Sequence, residues 1–273
     1  MSQRARGIQS VQVSGRILRA LTKANKPMML KELAIAADLV PAQCHAYLTS
    51  LKNVGLVHQD HMTGHYRTGP FALRLGIGWI KSSPLASAAL AELKALTDEL
   101  GVISLIAVWG NLGPTIVSVN ASVSLPSLNI RQGTVYSVTG TATGHVFAAC
   151  GSFPTMEEQI AKGLDRSSRS RGIGSFVTRE DLDEVLKITR ARGYATAVDR
   201  PIPGISAAAA PIFDAHGKLV FVAALIGRSD ETSVAEDSIA VTRLLSVTRK
   251  LSAGQHKATE PAEGADINTV EHS

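Results

Sequence analysis

A run of threonines and glycines, Thr139–Gly144, carries the groups best suited to bind a small anion. The run opens a predicted helix that extends to Cys150. The first backbone N–H groups of a helix and the positive end of its dipole attract negative charge. The hydroxyls alternate with small residues, which let a ligand approach the backbone closely. A capped helix packed tightly on a sheet explains the same residues, and from these residues alone it is the simpler interpretation.

The sequence offers no group of residues arranged for catalysis. His145 and Cys150 lie five positions apart on the predicted helix, which puts them on different faces, and no acidic residue has a spacing suited to orient the histidine. The phosphate-loop, nucleophile-elbow and zinc-protease motifs are absent from the sequence. Four other histidines crowd the first 65 residues with the spacing of a hairpin surface rather than of a metal cage. We therefore predict no enzyme activity, no bound metal and no cofactor.

The charges of the 273-residue chain are unevenly distributed. Residues 1–82 hold 11 Lys and Arg against 3 Asp and Glu, whereas residues 83–273 hold 17 against 20. This asymmetry favours an N-terminal module that meets a polyanion such as duplex DNA, although a protein with one basic face would show it too. The sequence has no apolar run long enough to span a membrane and no signal peptide, so we expect a cytoplasmic protein without membrane contact. The two cysteines are far apart and predict neither a disulfide nor a zinc site.

The N-terminal residues predict a winged helix-turn-helix domain over residues 1–82. Three short helices precede a hairpin, and the third helix, which begins at Pro41, presents its outer face to the major groove. Cys44, Leu48 and Leu51 form its inward stripe. The candidate DNA-binding residues lie on the outer face of this helix and on the hairpin: Ala42, Gln43, His45, Tyr47, Thr49, His61, His65 and Arg67. Tyr47 could equally well pack between helices instead of contacting DNA. For the domain as a whole, protein docking is an alternative, because three helices with a hairpin also occur in modules that only bind proteins.

A linker helix is predicted over residues 83–101, with an apolar stripe that includes Leu93 and Leu100. The stripe suits packing on its own domain and contact with a second copy equally. Residues 102–253 alternate strands and helices, which predicts an α+β domain with a mostly antiparallel sheet. We expect a strand pair at 128–131 and 135–138, and a final helix from about residue 231 to 251. The polar, acidic tail at 254–273 is expected to be disordered.

Several segments together resemble the IclR family of bacterial transcriptional regulators. They are the helix-turn-helix run from Leu30 to Leu51, the hairpin residues Thr63–Pro70, Gly140–His145, Gly193–Ala195 and Pro203–Asp214. The resemblance covers roughly residues 8–250, in order, and is far more specific than a single motif. It implies a winged helix-turn-helix, a linker helix and a GAF-like α/β effector-binding domain. It also implies operator binding as a homodimer or homotetramer.

The resemblance also assigns an effector site to the second module. The family pattern places the ligand against the segment from Thr141 to Gly144, and the opposite wall carries over to Ala197, Ala207, Ala224 and Ile226. Relatives that sense very small oxo-acids have polar side chains at these wall positions, whereas all four are apolar here. An apolar wall beside an anion site predicts a small carboxylic acid with an aromatic or otherwise apolar body. The candidate effector-binding residues are Thr141, Ala142, Thr143, Gly144, Trp109, Leu128, Ala197, Ala207, Ala224 and Ile226.

The recognition helix departs from the family pattern. Gln43, Cys44, His45 and Ala46 stand where many relatives have Lys, Ser or Thr followed by His-Arg, so the usual arginine is absent. Its loss removes a donor that could bind guanine or phosphate, while Gln43 could still pair with adenine. The sequence thus predicts a ligand-responsive DNA-binding regulator. The alternatives are a degenerate member that senses a ligand without reading DNA and a module that only binds proteins.

Overall fold

The contacts within the chain divide it into two units, Met1–Pro84 and Leu85–Ser273, called unit 1 and unit 2 below. The computed structural model describes residues 7–24, 26–121, 130–169 and 178–258, without the side chains of residues 166–169 and 255–258. The division falls at the start of the predicted linker helix, so that helix packs as part of unit 2.

Unit 1 consists of helices that surround one apolar core and a two-stranded antiparallel hairpin. Its elements are α1 (Gln9–Ala24), α2 (Leu30–Ala36), α3 (Pro41–Asn53), β1 (Val57–Gln59), β2 (Tyr66–Thr68) and α4 (Pro70–Lys81). Pro41 begins α3, where its missing N–H costs no hydrogen bond. Ile17, Leu33 and Leu48 come from the first three helices and are fully buried together. The predicted winged helix-turn-helix is confirmed.

Helix α4 has no counterpart among the sequence predictions. It contains Gly76 and Gly78, and its apolar residues alternate rather than follow a helical stripe, which hides the helix from pattern analysis. No residue of α4 is buried, and its large apolar side chains are 39–65% exposed. They are Phe71, Leu73, Leu75, Ile77 and Trp79.

Unit 2 is built on a five-stranded sheet in the order β4-β3-β7-β6-β5, in which all neighbouring strands are antiparallel. Its elements are α5 (Pro84–Leu100), β3 (Ile103–Gly110), β4 (Gly113–Asn120), α6 (Ala142–Cys150), α7 (Met156–Arg169), α8 (Arg179–Arg192), β5 (Ala195–Val198), β6 (Ile205–Phe213), β7 (Leu219–Arg228) and α9 (Ile239–Ala258). This confirms the predicted α+β class with an antiparallel sheet.

Helices cover both faces of the sheet. On one face, Phe147 of α6 and Leu186 of α8 share a core with alternate strand residues such as Leu105. On the other face, Ser104 bonds to α5. Helix α9 lies beside α5, because Arg243 and Lys250 of α9 form ion pairs with Glu99 and Glu92. The strands are therefore apolar on both sides, as a fully covered sheet requires.

Two predicted elements differ from the structure. No strand forms at 135–138; Val135 makes a single isolated bridge to Thr115, since the segment runs beside the start of β4 only briefly. The last helix begins at Ile239 rather than near residue 231, because the hydroxyl of Ser238 accepts a hydrogen bond from the backbone N–H of Val241 and acts as an N-cap. The helix also continues to Ala258, past the expected start of the tail. Residues 128–129 and 259–273 lie outside the described residues.

Candidate functional site

The outer face of α3 is the candidate surface for reading DNA. Cys44, Leu48 and Leu51 are buried, which confirms the predicted inward stripe. Ala42, Gln43, His45 and Thr49 are exposed on the opposite side. The Thr49 hydroxyl donates to the backbone oxygen of His45, so it stays close to the helix surface. Tyr47 is half-buried and packs against the core, which leaves it a smaller part in any contact with DNA.

The hairpin supplies a second group of polar side chains. Tyr66 is buried and anchors β2, while Arg67 and His61 are exposed and His65 is half-buried. Asp60 fixes the turn by accepting hydrogen bonds from the backbone N–H groups of Met62 and Thr63, and these bonds lower the pKa of its carboxyl.

A cleft of about 520 Å³ opens beside the hairpin. Its walls include Lys26, His65 and Arg67, together with the carboxylates of Glu32 and Asp60. Sequence analysis overlooked Lys26. Its position immediately before Pro27, next to a helix-turn-helix, was the available signal.

In unit 2, the segment Thr139–Gly144 leads into α6, and the hydroxyl of Thr141 caps this helix. Thr141 Oγ1 accepts a hydrogen bond from the Gly144 N–H at 3.0 Å and donates one to the Ser137 carbonyl oxygen at 2.8 Å. The Thr141 side chain therefore acts as the N-cap of α6, in agreement with the capped-helix interpretation. The N–H groups of Ala142 and Thr143 stand in the first turn, where a helix supplies no acceptor of its own, and they are the ones suited to an anion.

Gly144 permits the close packing of this turn. A Cβ atom at this position would lie 2.2 Å from the Ser137 carbonyl oxygen and 2.6 Å from the Val138 Cα, both of them backbone atoms. Only glycine fits without moving the loop that precedes the helix.

Three of the four predicted wall residues form one row across the sheet. Ala197 of β5 pairs with Ala207 of β6, which pairs with Ile226 of β7. Ala224 lies two positions before Ile226 and therefore on the same face. Ala197, Ala224 and Ile226 belong to the core that also contains Ala142 of α6, and half-buried Ala207 packs against that core. The structure thus brings the predicted wall and the start of α6 into one apolar cluster.

Of the two further candidates, Trp109 packs against the same core as the wall residues. Trp109 stacks on Phe153 with ring centroids 4.7 Å apart and donates its Nε1–H to the Thr155 hydroxyl, so one ring face is already covered by the protein. Phe147 packs edge-on against Trp109 at 5.7 Å. Leu128 lies outside the described residues.

His145 lies buried near the start of α6. Burial lowers the pKa of its imidazole, and the positive charge of Arg200 lowers it further, while the Thr139 carbonyl oxygen, 3.1 Å from Nε2, opposes the shift. Arg200 is exposed and follows strand β5, which carries Ala197. Its positive charge acts on His145 of α6. Sequence analysis missed Arg200, although it lies three positions after a predicted wall residue.

The described ranges contain no group of three or more His, Cys, Asp and Glu side chains arranged to hold a metal ion. Burial raises the pKa of the Cys150 thiol more than Arg190 lowers it, which disfavours the reactive thiolate form. No helix in the described part of the chain has the length and apolar character needed to cross a membrane.

Sequence and structure comparisons give consistent results. Residues 78–253 match the family described as bacterial transcriptional regulator IclR C-terminal, and residues 10–61 match the IclR helix-turn-helix domain. The glycerol operon regulatory protein of Streptomyces coelicolor is 28% identical over 257 residues, which cover 92% of this chain and 99% of that protein.

Solved structures of the same kind cover nearly the whole chain. Pseudomonas aeruginosa HmgR is 31% identical with a TM-score of 0.53, over 91% of this chain and 98% of its own. An IclR homolog from Microbacterium hydrocarbonoxydans, crystallised with 4-hydroxybenzoate, has a TM-score of 0.72 at 17% identity, over 91% and 99% of the two chains. With a family match that spans most of its length, the chain belongs to the IclR family of DNA-binding bacterial transcriptional regulators.

Proposed function

We propose that this protein is a ligand-responsive regulator in which α3 and the hairpin read an operator while a small carboxylic acid with an apolar body binds unit 2. The observation that carries the proposal is the apolar cluster that joins Ala197, Ala207 and Ile226 to the first turn of α6. Binding of the acid changes operator occupancy by favouring one arrangement of the regulator over another.

The candidate residues on the outer face of α3 can contact DNA bases, but none of them is a lysine or an arginine. Gln43 can donate to and accept from the major-groove edge of adenine, and the small side chains of Ala42 and Thr49 allow close approach to the bases. Arg67 and Lys26 of the hairpin region supply the charge that phosphates attract. The excess of basic residues over residues 1–82 supports the same division of work.

A salt titration of duplex binding separates these roles. We expect Arg67→Ala to weaken binding to all sequences and to reduce the salt slope by about one, and Gln43→Ala to reduce discrimination between sequences instead. Lys94→Ala is the matched control, because it also removes one exposed cation, but from α5 of unit 2. If Lys94→Ala reduces the slope as much as Arg67→Ala, the hairpin is not the contact. No binding at low salt would favour the degenerate reader.

The proposed effector site combines an apolar surface with the positive, N-terminal end of the α6 dipole. Burial of apolar ligand surface against the alanines and Ile226 contributes roughly 25 cal/mol per Å². The N–H groups of the first turn of α6 and the positive charge of Arg200, which acts on His145 of the same helix, suit a carboxylate. The complex of the Microbacterium homolog with 4-hydroxybenzoate supports this class, since the same fold accommodates an aromatic acid there.

Thermal shift with matched ligands tests this class. We expect benzoate and 4-hydroxybenzoate to stabilise unit 2, benzamide to do so less because it lacks the charge, and pyruvate to do so least because it lacks the apolar body. Arg200→Gln should weaken the response to benzoate, whereas Lys187→Gln, an exposed cation on α8, should not. Stabilisation by highly polar oxo-acids alone would contradict the apolar-acid proposal.

We also propose that α4 mediates contact with a second copy of the chain. Its large apolar side chains are exposed, whereas the apolar stripe of α5, once an equal candidate, is buried at Leu93 and Leu96. A symmetric pair of readers matches an operator with two half-sites. Leu75→Glu should lower the molar mass measured by light scattering, and Leu112→Glu, an exposed leucine of unit 2, should not. An unchanged mass for Leu75→Glu would contradict this assignment.

A further inference from the structure

Three hydrogen bonds meet at the hydroxyl of Ser104, on the face of the sheet opposite the effector wall. Ser104 Oγ donates to the Leu93 carbonyl oxygen at 2.8 Å and accepts from the Thr97 hydroxyl at 2.7 Å. The Asn120 side-chain amide of β4 donates to the same oxygen at 3.1 Å. Ser104 is completely buried and Thr97 is 4% exposed, so water does not replace these bonds. This hydroxyl cluster ties helix α5 to strands β3 and β4.

The hydroxyl cluster is one residue away from the row that forms the effector wall. Ile226 pairs with Ile103 on β3, which extends the row from Ala207 across the sheet. Side chains of a strand alternate between faces, so Ile103 faces the wall side while Ser104 faces α5. A displacement of the wall row therefore moves the backbone of β3, and with it the Ser104 hydroxyl that is hydrogen-bonded to α5.

Apolar packing alone would not fix the register of α5 on the sheet. Leu93 and Leu96 also hold α5 on the sheet, but apolar contacts have no preferred direction and permit small slides. Buried hydrogen bonds have a defined geometry and are costly to leave unmade. They therefore fix the register of α5 on β3.

We propose that Ser104 and Thr97 are positioning residues that couple the effector wall to helix α5. The proposal rests on the proposed function, because it assigns to that ligand site the route by which occupancy reaches the helix that follows the DNA-binding unit in the chain. Neither side chain contacts the ligand.

Hydrogen exchange of the full-length chain tests the coupling without a known effector. Ala207→Val enlarges a half-buried residue of the wall and serves as the perturbation. We expect it to change the exchange rates of α5 amides near Leu93 by roughly three- to tenfold in the parent protein. The same substitution should have almost no effect on α5 when combined with Ser104→Ala or Thr97→Val, which remove a hydroxyl from the cluster.

Thr97→Ser is the matched control, because it keeps the hydroxyl and should preserve the response. The measured quantity is the change in α5 exchange rates that Ala207→Val causes. If Ser104 had only a structural role, Ala207→Val would still cause this change in the Ser104→Ala variant. A response that persists in Ser104→Ala and Thr97→Val would overturn the proposal, and so would a parent protein in which α5 does not respond. Ala197→Val provides a second perturbation of the same row if Ala207→Val does not fold. Because exchange is measured without DNA or ligand, failure of the proposed function would appear separately, in the binding assays.

Discussion

Replacement of Thr141 by alanine removes both hydrogen bonds that organise the start of α6. Loss of an N-cap hydroxyl costs about 0.5–1 kcal/mol, and the second bond, to the Ser137 oxygen, lies at a more exposed position and adds about 0.5–1 kcal/mol. We expect the free energy of unfolding of unit 2 to fall by about 1–2 kcal/mol in Thr141→Ala. Thr141→Ser retains the hydroxyl and should stay close to the parent.

Tryptophan fluorescence measures this change in unit 2 alone. The chain has two tryptophans, Trp79 in unit 1 and Trp109 in unit 2, so a Trp79→Phe background leaves one reporter beside the effector wall. For a domain of this size, about 1–2 kcal/mol lowers the unfolding midpoint by roughly 2–8 °C. Equal midpoints for Thr141→Ala and Thr141→Ser would refute the assignment of this hydroxyl as the cap, and with it the argument that the first turn of α6 is preorganised.

Three other substitutions or treatments give distinct outcomes. Gly144→Ala should destabilise unit 2 by about 3 kcal/mol in chemical unfolding, because its Cβ meets backbone atoms. Gly254→Ala in α9 is the control: its Cβ meets nothing within 4 Å, so the change should be neutral or slightly stabilising. Equal effects of the two substitutions would contradict the packing argument. The lowered pKa of His145 means that below about pH 6.5 the unfolded chain binds more protons than the folded chain. The free energy of unfolding should therefore fall from pH 7.5 to 5.5, and His145→Gln should flatten that part of the pH profile. An unchanged slope would show that His145 is not the group responsible. Burial raises the thiol pKa of both cysteines, so an aromatic disulfide reagent should label half-buried Cys150 slowly and fully buried Cys44 only on unfolding; rapid labelling of Cys44 would contradict its burial.

The sequence predicts best where periodicity and burial coincide. The inward stripe of α3 could be read from the spacing of Cys44, Leu48 and Leu51, because a helix with one buried face repeats every three to four residues. The long apolar strands β6 and β7 were equally clear, since a turn-forming segment separates two uninterrupted apolar runs.

Prediction fails where neighbours in space, not in sequence, decide the structure. Helix α4 has apolar residues at alternate positions and two internal glycines, so its sequence does not mark it clearly as a helix. The polar stretch before Ile239 has the composition of a helix start, and only the capping bond from Ser238 fixes where the helix begins. The stacking of Trp109 on Phe153 depends on the loop before α7, which the sequence does not place.

The candidate effector site shows both sides of this distinction. The family pattern assigned Ala197, Ala207, Ala224 and Ile226 to one wall, and the strand register does bring them together. The influence of Arg200 on His145 could not be foreseen, because it depends on how the segment after β5 returns toward α6.

Selection of binding sites from a pool of random DNA duplexes tests the central claim most directly. The full-length chain and a double variant, Gln43→Ala with His45→Ala, would be compared under the same salt conditions. Because both residues are exposed on α3, the variant should fold normally and lose only base contacts. We expect the parent to enrich one sequence with two related half-sites and the double variant to enrich none. Identical enrichment by both proteins, or none by either, would contradict the assignment of α3 as the reader of DNA sequence.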